Sequence, residues 1–204
     1  LGKSSSGARY DDLKEMVCEI QVRTIVQDAW AIIQHHMVYK KESEIPSKIQ
    51  RKLNSLSALF ETVDDQFENI RNERDLYIQN VIQSKNNKIE FLKNELNIDS
   101  FKEYLNWKFP NRSCEAWSGQ SSMVIDALIN AGFKNLIQID EILDETKETR
   151  RILVEKLDKK IRKCEDGSIP SNIEPALAIS AKSSEWRDLI PWGDDWIEVF
   201  DEVL

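Results

Sequence analysis

The sequence is poor in cysteine. Its three cysteines, Cys18, Cys114 and Cys164, are odd in number and far apart, and none of them belongs to a CxxC pair. This spacing predicts neither a disulfide framework nor a zinc site, because both need cysteines in matched sets. Cysteines without a disulfide role suit a reducing compartment, so the sequence favours a cytoplasmic location.

Long apolar runs and an excess of basic residues are also absent. No stretch approaches the roughly 20 apolar residues that span a membrane, and residues 1–12, LGKSSSGARYDD, lack the apolar core of a signal peptide. The net charge of −8 argues against a broad nucleic-acid surface, although a local anion pocket remains compatible with it. The sequence therefore predicts a soluble protein that has no membrane partner.

A junction between a strand and a helix is the most informative feature that is present. From Met16 to Arg23 apolar and polar side chains alternate, which predicts a half-buried strand. The polar face of this strand carries Glu19, Gln21 and Arg23. Thr24 then begins a helix, and Gln27 completes a capping-box pattern with it. The apolar stripe of this helix consists of Val26, Ala29, Trp30, Ile33 and Met37.

The string EIQVRT, followed by DAWAxxxHxxxYK, resembles the late part of the synthetase domain of the RelA/SpoT family. Members of this family move a pyrophosphate from ATP to GTP or GDP and so make guanosine penta- and tetraphosphate. The resemblance reaches from about Met16 to about Glu73. It implies the last strand and the packing helices of a nucleotidyltransferase-like synthetase fold, followed by an all-helical extension, in a predominantly α (α+β) chain.

The resemblance also implies roles for individual residues. Glu19 matches a carboxylate beside the catalytic magnesium ion and the attacking ribose 3'-hydroxyl, so we expect it to be both catalytic and a Mg²⁺ ligand. Gln21 and Arg23 share its face, where an amide can bind guanine or ribose and a guanidinium can bind phosphate. For Arg23, a salt bridge between strand and helix is an equal alternative. The resemblance also implies that His35 and Lys40 bind the phosphates of the guanine nucleotide.

Parts of the family pattern cannot be found in the sequence. The arginine-and-lysine motif for ATP, the metal-binding aspartate and the loop whose tyrosine stacks on guanine cannot be placed before Glu19, so we expect the chain alone to be inactive. The only two histidines, His35 and His36, cannot form the metal cluster of the hydrolase in bifunctional members. Gln34 and Ile32 stand where the family often has acids, which leaves the substrate preference open.

Three functions remain open at this point. The first is synthesis of (p)ppGpp from ATP and GTP or GDP, with Mg²⁺ as the cofactor. The second is transfer of pyrophosphate from ATP to the 3' end of tRNA, as in toxic relatives of the same fold, and tRNA is a partner only in this alternative. The third is a non-catalytic binding or regulatory module. The sequence also leaves open whether copies of the chain form a homo-oligomer.

The rest of the chain is predicted to be helical. An apolar stripe from Ile49 to Ile70 predicts a long helix, and the polar SKNN at residues 84–87 predicts its end and a domain boundary. We therefore predict a synthetase-like part at residues 1–85 and a helical extension at residues 86–204. Within the extension we predict an N-cap at Asp99 or Ser100, a helix stop at Gly132 and one helix from Ile139 to about Ile161. The aromatic segment 183–204 either docks on the protein, which is favoured, or binds a partner.

Overall fold

The computed structural model describes residues 17, 19–37, 45–110, 112, 120–157 and 169–204. In these residues the chain is mostly α-helical, as predicted, and the β pairing among them is an isolated bridge between Glu95 and Asn135. The helices are α1 (Ile25–Met37), α2 (Ser47–Ser84), α3 (Lys88–Leu92), α4 (Ile98–Lys108), α5 (Gln120–Asn130), α6 (Leu136–Glu145), α7 (Lys147–Lys156), α8 (Ile173–Lys182), α9 (Ser184–Arg187) and α10 (Asp194–Val203). None of the helices in these ranges combines the length and the apolar content that a membrane crossing needs.

The chain divides into two compact units, Leu1–Glu73 and Arg74–Leu204, and the division falls within α2. The helix break predicted from SKNN is confirmed, because α2 ends at Ser84 and a turn follows at Lys85 and Asn86. The sequence predicted that the synthetase-like part ends near residue 85. This boundary between functional parts of the chain stays a prediction.

The predicted half-buried strand is wrong for the residues of that segment that the structure describes. Residues 19–24 belong to no strand, and the side chains of Ile20 and Val22 are 82% and 90% exposed. A strand is defined by backbone hydrogen bonds to a neighbouring strand, and no described residue supplies that neighbour. The alternating pattern determines which side chains share a face, but it cannot supply the second strand. The last strand of a nucleotidyltransferase-like fold is therefore not seen in the described residues.

In the first unit, α1 begins as the sequence predicts. The Thr24 Oγ1 atom accepts a hydrogen bond from the Gln27 N–H at 3.0 Å, and Gln27 Oε1 accepts one from the Thr24 N–H at 3.2 Å. These two bonds confirm the capping box. The ring of Trp30 packs on that of Phe60 in α2, with 5.7 Å between the centroids. The apolar stripe of α2 is only partly covered, because Leu53 is buried while Phe67 is exposed.

The second unit encloses two apolar cores. The larger one contains the fully buried side chains of Phe91, Phe101, Tyr104, Leu128, Leu136, Ile139, Leu143 and Ile179. The smaller one consists of Leu153, Leu157, Ile169, Leu177, Val199 and Phe200. Helix α8 contributes to both, because Ile179 lies in the larger core and Leu177 in the smaller one. A helix that is apolar on most of its circumference must be buried, so α8 is the central element of this unit.

Local side-chain chemistry accounts for three of the helix starts in the second unit. The N-caps of α3, α4 and α6 are Asn87, Asn97 and Asn135, whose side chains accept hydrogen bonds from backbone N–H groups of the first turn. The predicted cap of α4 at Asp99 or Ser100 is therefore wrong. Ser100 instead lies inside the first turn, where it completes a capping box with Asn97.

The end of α5 at Gly132 is confirmed. Gly132 has a φ of +93°, its N–H donates to the Ile129 carbonyl at 2.9 Å, and the Phe133 N–H donates to the Leu128 carbonyl at 3.0 Å. This pair of bonds is the Schellman motif, which needs a residue in the left-handed region. Glycine adopts that region without the steric cost that a Cβ atom brings.

The single helix predicted from Ile139 to about Ile161 is wrong, because α6 and α7 are separated at Thr146. The Thr146 hydroxyl donates to the Ile142 carbonyl at 2.6 Å, and Arg150 Nη2 donates to the Leu143 carbonyl at 2.7 Å. The bond from Arg150 gives the Leu143 carbonyl a partner at the end of α6, whereas the Ile142 carbonyl also accepts the Thr146 N–H at 3.0 Å. The predicted helix beyond residue 157 lies outside the described residues.

Two buried carboxylates lie between the helices of this unit. Asp140 accepts hydrogen bonds from the Tyr104 hydroxyl at 2.9 Å and from Lys108 Nζ at 2.6 Å. Burial alone would raise the pKa of Asp140, but the hydrogen bonds from Lys108 and Tyr104 outweigh it and hold the pKa below its ordinary value. Glu174 pairs with both Arg112 and Arg150, and the side chains of Glu174 and Arg150 are 7% and 10% exposed. Burial lowers the pKa of Arg150 to about 10, so this guanidinium is charged at neutral pH.

The C-terminal aromatic segment docks within the second unit. Phe200 is fully buried, and the Trp192 ring stacks on Trp196 with 4.7 Å between the centroids. The Trp192 indole N–H donates to the Ser180 hydroxyl of α8 at 2.9 Å. Of the two arrangements that the sequence left open, the structure shows the docked one.

Candidate functional site

Three of the predicted site residues lie side by side in the segment that precedes α1. Gln21 Nε2 donates a hydrogen bond to Glu19 Oε1 at 2.9 Å, and Arg23 Nη2 donates one to Gln21 Oε1. In an extended chain the side chains of every second residue point the same way, so the backbone presents all three on one face. All three are exposed, and a ligand can therefore reach them.

Arg23 also faces the first turn of α1. Its Nη1 atom lies 3.8 Å from Asp28 Oδ1, and the two side chains are 40% and 62% exposed. An exposed pair at this distance stabilises a fold by roughly 0–1 kcal/mol. The contact has the form of the salt bridge that the sequence offered as an alternative for Arg23. It is weak enough for a phosphate group to replace Asp28 as the partner of the guanidinium.

Thr24 links this polar segment to α2. Its hydroxyl donates to Asp64 Oδ2 at 2.8 Å, while the same oxygen accepts the Gln27 N–H. The sequence identified Thr24 as a helix cap but gave no sign of Asp64, which is 40 residues away. Asp28 was likewise missed as a partner of Arg23, although it lies within the DAW string that carries the family resemblance.

His35 lies towards the other end of α1. It follows Ile25 by ten residues, which places it about 15 Å further along the helix axis at a rise of about 1.5 Å per residue. Because two helical turns separate it from Asp28, both residues lie on the same face of α1. The rings of His35 and His36 are 6.0 Å apart and nearly perpendicular. The structure thus does not bring His35 into the Glu19 group, and Lys40 lies outside the described residues.

The described residues could supply only part of a metal site. No three or more His, Cys, Asp or Glu side chains among them are grouped so that they could hold a metal ion. Mg²⁺, however, is usually bound through one or two carboxylates together with substrate phosphates and water. Glu19 is an exposed carboxylate beside an amide and a guanidinium. It fits the role of a single protein ligand in such a site.

Part of the chain is similar to GTP pyrophosphokinases, which supports a RelA/SpoT-like synthetase region. GTP pyrophosphokinase YjbM of Bacillus subtilis (strain 168) is 35% identical over 60 residues, which are 29% of this chain and 28% of that protein. GTP pyrophosphokinase YwaC of the same organism is 32% identical over 57 residues, or 28% of this chain and 27% of that protein. The chain thus spans less than a third of the length of these curated relatives. No protein-family profile and no solved structure matches it.

Proposed function

We propose that this chain contributes the guanine-nucleotide side of a GTP pyrophosphokinase site. At this site a pyrophosphate passes from ATP to the ribose 3'-oxygen of GTP or GDP and gives (p)ppGpp. The observation that carries the proposal is the alignment of Glu19, Gln21 and Arg23 on one exposed face, in a chain of which part is 35% identical to a GTP pyrophosphokinase. The proposal includes a nucleotidyltransferase-like fold for residues 1–85 and a cytoplasmic location.

Glu19 is the proposed catalytic residue. Its carboxylate accepts the proton of the ribose 3'-hydroxyl as the 3'-oxygen bonds to the β-phosphorus atom of ATP. The bond between that phosphorus and the oxygen that bridges to the α-phosphate breaks at the same time, and AMP leaves. Phosphoryl transfer depends chiefly on positioning and on charge stabilisation, so one correctly placed carboxylate has a large effect on the rate. The side-chain amide of Gln21 holds Glu19 through the 2.9 Å bond and binds the guanine or the ribose from the same face. Glu19 would also hold Mg²⁺, which when bound neutralises charge on the ATP phosphates.

The remaining site residues bind phosphate. Arg23 exchanges its weak contact with Asp28 for a bidentate contact with a phosphate group. His35 and Lys40 bind the 5'-phosphates of the guanine nucleotide. His35 is an exposed residue on the same side of α1 as Asp28, so the proposal has the phosphates extend along that side of the helix.

A transfer assay tests the proposal. The native protein that carries this sequence is incubated with Mg²⁺, ATP labelled in its terminal phosphates, and either GTP, GDP or tRNA. We expect label in the guanine nucleotide. The isolated 204-residue chain is expected to transfer none, because the ATP motif and the guanine-stacking loop of the family are not found in it. Label in tRNA alone would establish the second alternative, and transfer to no acceptor would favour a binding module.

A further inference from the structure

We propose that Asp64 is a positioning residue for the proposed site. Through the hydroxyl of Thr24, it fixes the direction in which the segment 19–23 leaves α1. Thr24 stands between the polar segment and the first turn of the helix, and Asp64 Oδ2 lies 2.8 Å from its hydroxyl oxygen. Asp64 is half-buried on α2, a helix that is continuous around this position. The acceptor therefore lies on a rigid element.

The contact with Asp64 explains why residue 24 carries a hydroxyl. The Thr24 oxygen accepts the Gln27 N–H at 3.0 Å and donates its own proton to Asp64. Aspartate and asparagine are equally good N-caps, but an ionised aspartate has no proton to donate, and the acceptor oxygen of asparagine carries none. Only serine and threonine can accept and donate through one atom. The contact with Asp64 therefore excludes an ionised aspartate at this position and suits serine and threonine, which make both bonds through one oxygen.

The polar segment depends on this contact because few others hold it. Among the described residues, no neighbouring strand pairs with the backbone of residues 19–23. The side chain of Arg23 reaches Asp28 only at 3.8 Å, in an exposed pair. A displacement of about 1 Å in a reacting group can lower a rate by about 100-fold. Loss of the Thr24 to Asp64 bond should therefore lower kcat for pyrophosphate transfer more than it raises KM, a consequence that rests on the proposed function.

Two pairs of variants of the native protein test the inference. Asp64→Ala and Thr24→Val remove the hydrogen bond, whereas Asp64→Asn and Thr24→Ser keep its acceptor and its donor. The first pair should lower kcat by about 10- to 100-fold with KM changed less than about 3-fold, and the second pair should stay near the parent. The matched control is Asp65→Ala, which removes the neighbouring exposed carboxylate. The double variant Thr24→Val/Asp64→Ala should be no slower than Thr24→Val alone, because Thr24→Val already removes the bond to Asp64 together with the N-cap bond to Gln27.

Proteolysis gives a readout that needs no activity. Trypsin cleaves after Arg23, so the cleavage rate of the Arg23–Thr24 bond reports how firmly the segment is held. We expect Asp64→Ala to raise this rate by about 3-fold or more over Asp65→Ala, with Asp64→Asn at the parent rate. Equal rates in the two alanine variants would overturn the inference. If cleavage rises but the parent transfers no pyrophosphate, the proposed function fails and the positioning role stands. If the parent transfers pyrophosphate and Asp64→Ala changes neither kcat nor the cleavage rate, the proposed function stands and the positioning role of Asp64 fails.

Discussion

Removing the charge of Glu174 should destabilise the second unit severely. Glu174→Gln keeps the size of the side chain and an acceptor oxygen, but it leaves the guanidinium of Arg150 in a site where only 10% of its surface meets water. Breaking a buried ion pair by removing one partner costs about 3 to 5 kcal/mol, because the remaining charge is neither hydrated nor paired. We expect a loss of this size in the free energy of unfolding. The second partner, Arg112, adds to it because it faces the same carboxylate.

Urea unfolding followed by tryptophan fluorescence measures this loss. The signal reports mainly on the second unit, because Trp30 is the one tryptophan before residue 74. The midpoint should fall with the slope unchanged, as for a pure loss of stability. The control is Glu155→Gln, which breaks an ion pair with Arg151 in which both side chains are more than half exposed, and its midpoint should match the parent. A loss below about 1 kcal/mol for Glu174→Gln would refute the reasoning, since it would mean that Arg150 is adequately hydrated without its partner.

Three further predictions concern the same unit. Phe200→Ala should lower the free energy of unfolding by about 3 to 5 kcal/mol, because Phe200 is fully buried. The control is Ile197→Ala, a change at a residue that is 41% exposed. A urea midpoint of Phe200→Ala no lower than that of the control would contradict docking of α10. Gly132→Ala should lower the free energy of unfolding by about 1–2 kcal/mol, because alanine is strained at the positive φ of this residue. Gly132→Asn should lower it less, because asparagine tolerates that region. Equal melting temperatures of the two variants would contradict this prediction. The depressed pKa of Asp140 means that its contribution to stability is present above about pH 4 and is lost as the pH falls through the folded pKa. The melting temperature of Asp140→Asn should therefore decline less in acid than that of the parent, and parallel declines would be evidence against the role of Asp140.

Features set by neighbouring residues could be predicted from the sequence. The capping box of Thr24 and Gln27 and the stop at Gly132 each depend on groups within a few residues, and both are observed. Features set by the side chains of other helices could not. The break at Thr146 depends on Arg150 of the next helix, which supplies the hydrogen bond that the Leu143 carbonyl needs. The sequence around Asp140 resembles the exposed acidic start of a helix. Nothing near it indicates that Asp140 is buried, because its partners in α4 are more than 30 residues away.

The candidate site divides in the same way. Alternation placed Glu19, Gln21 and Arg23 on one face, because side-chain direction is a local property of an extended chain. The same alternation predicted a buried apolar face, which failed because burial needs a second element and Ile20 remains exposed. The contact of Thr24 with Asp64 had no local signal at all, since it joins residues on separate elements.

The measurement that tests the central claim most directly is the rate of pyrophosphate transfer by Glu19→Gln in the native protein. This change keeps the size of the side chain and its hydrogen bonding but removes the charge that would accept the proton and hold Mg²⁺. We predict that transfer from ATP to GTP or GDP falls by about 100-fold or more. The melting temperature should be unchanged, because Glu19 is exposed, and Glu68→Gln, at an exposed acid of α2, should transfer at the parent rate. Transfer by Glu19→Gln within a few-fold of the parent would contradict the claim that this carboxylate is catalytic.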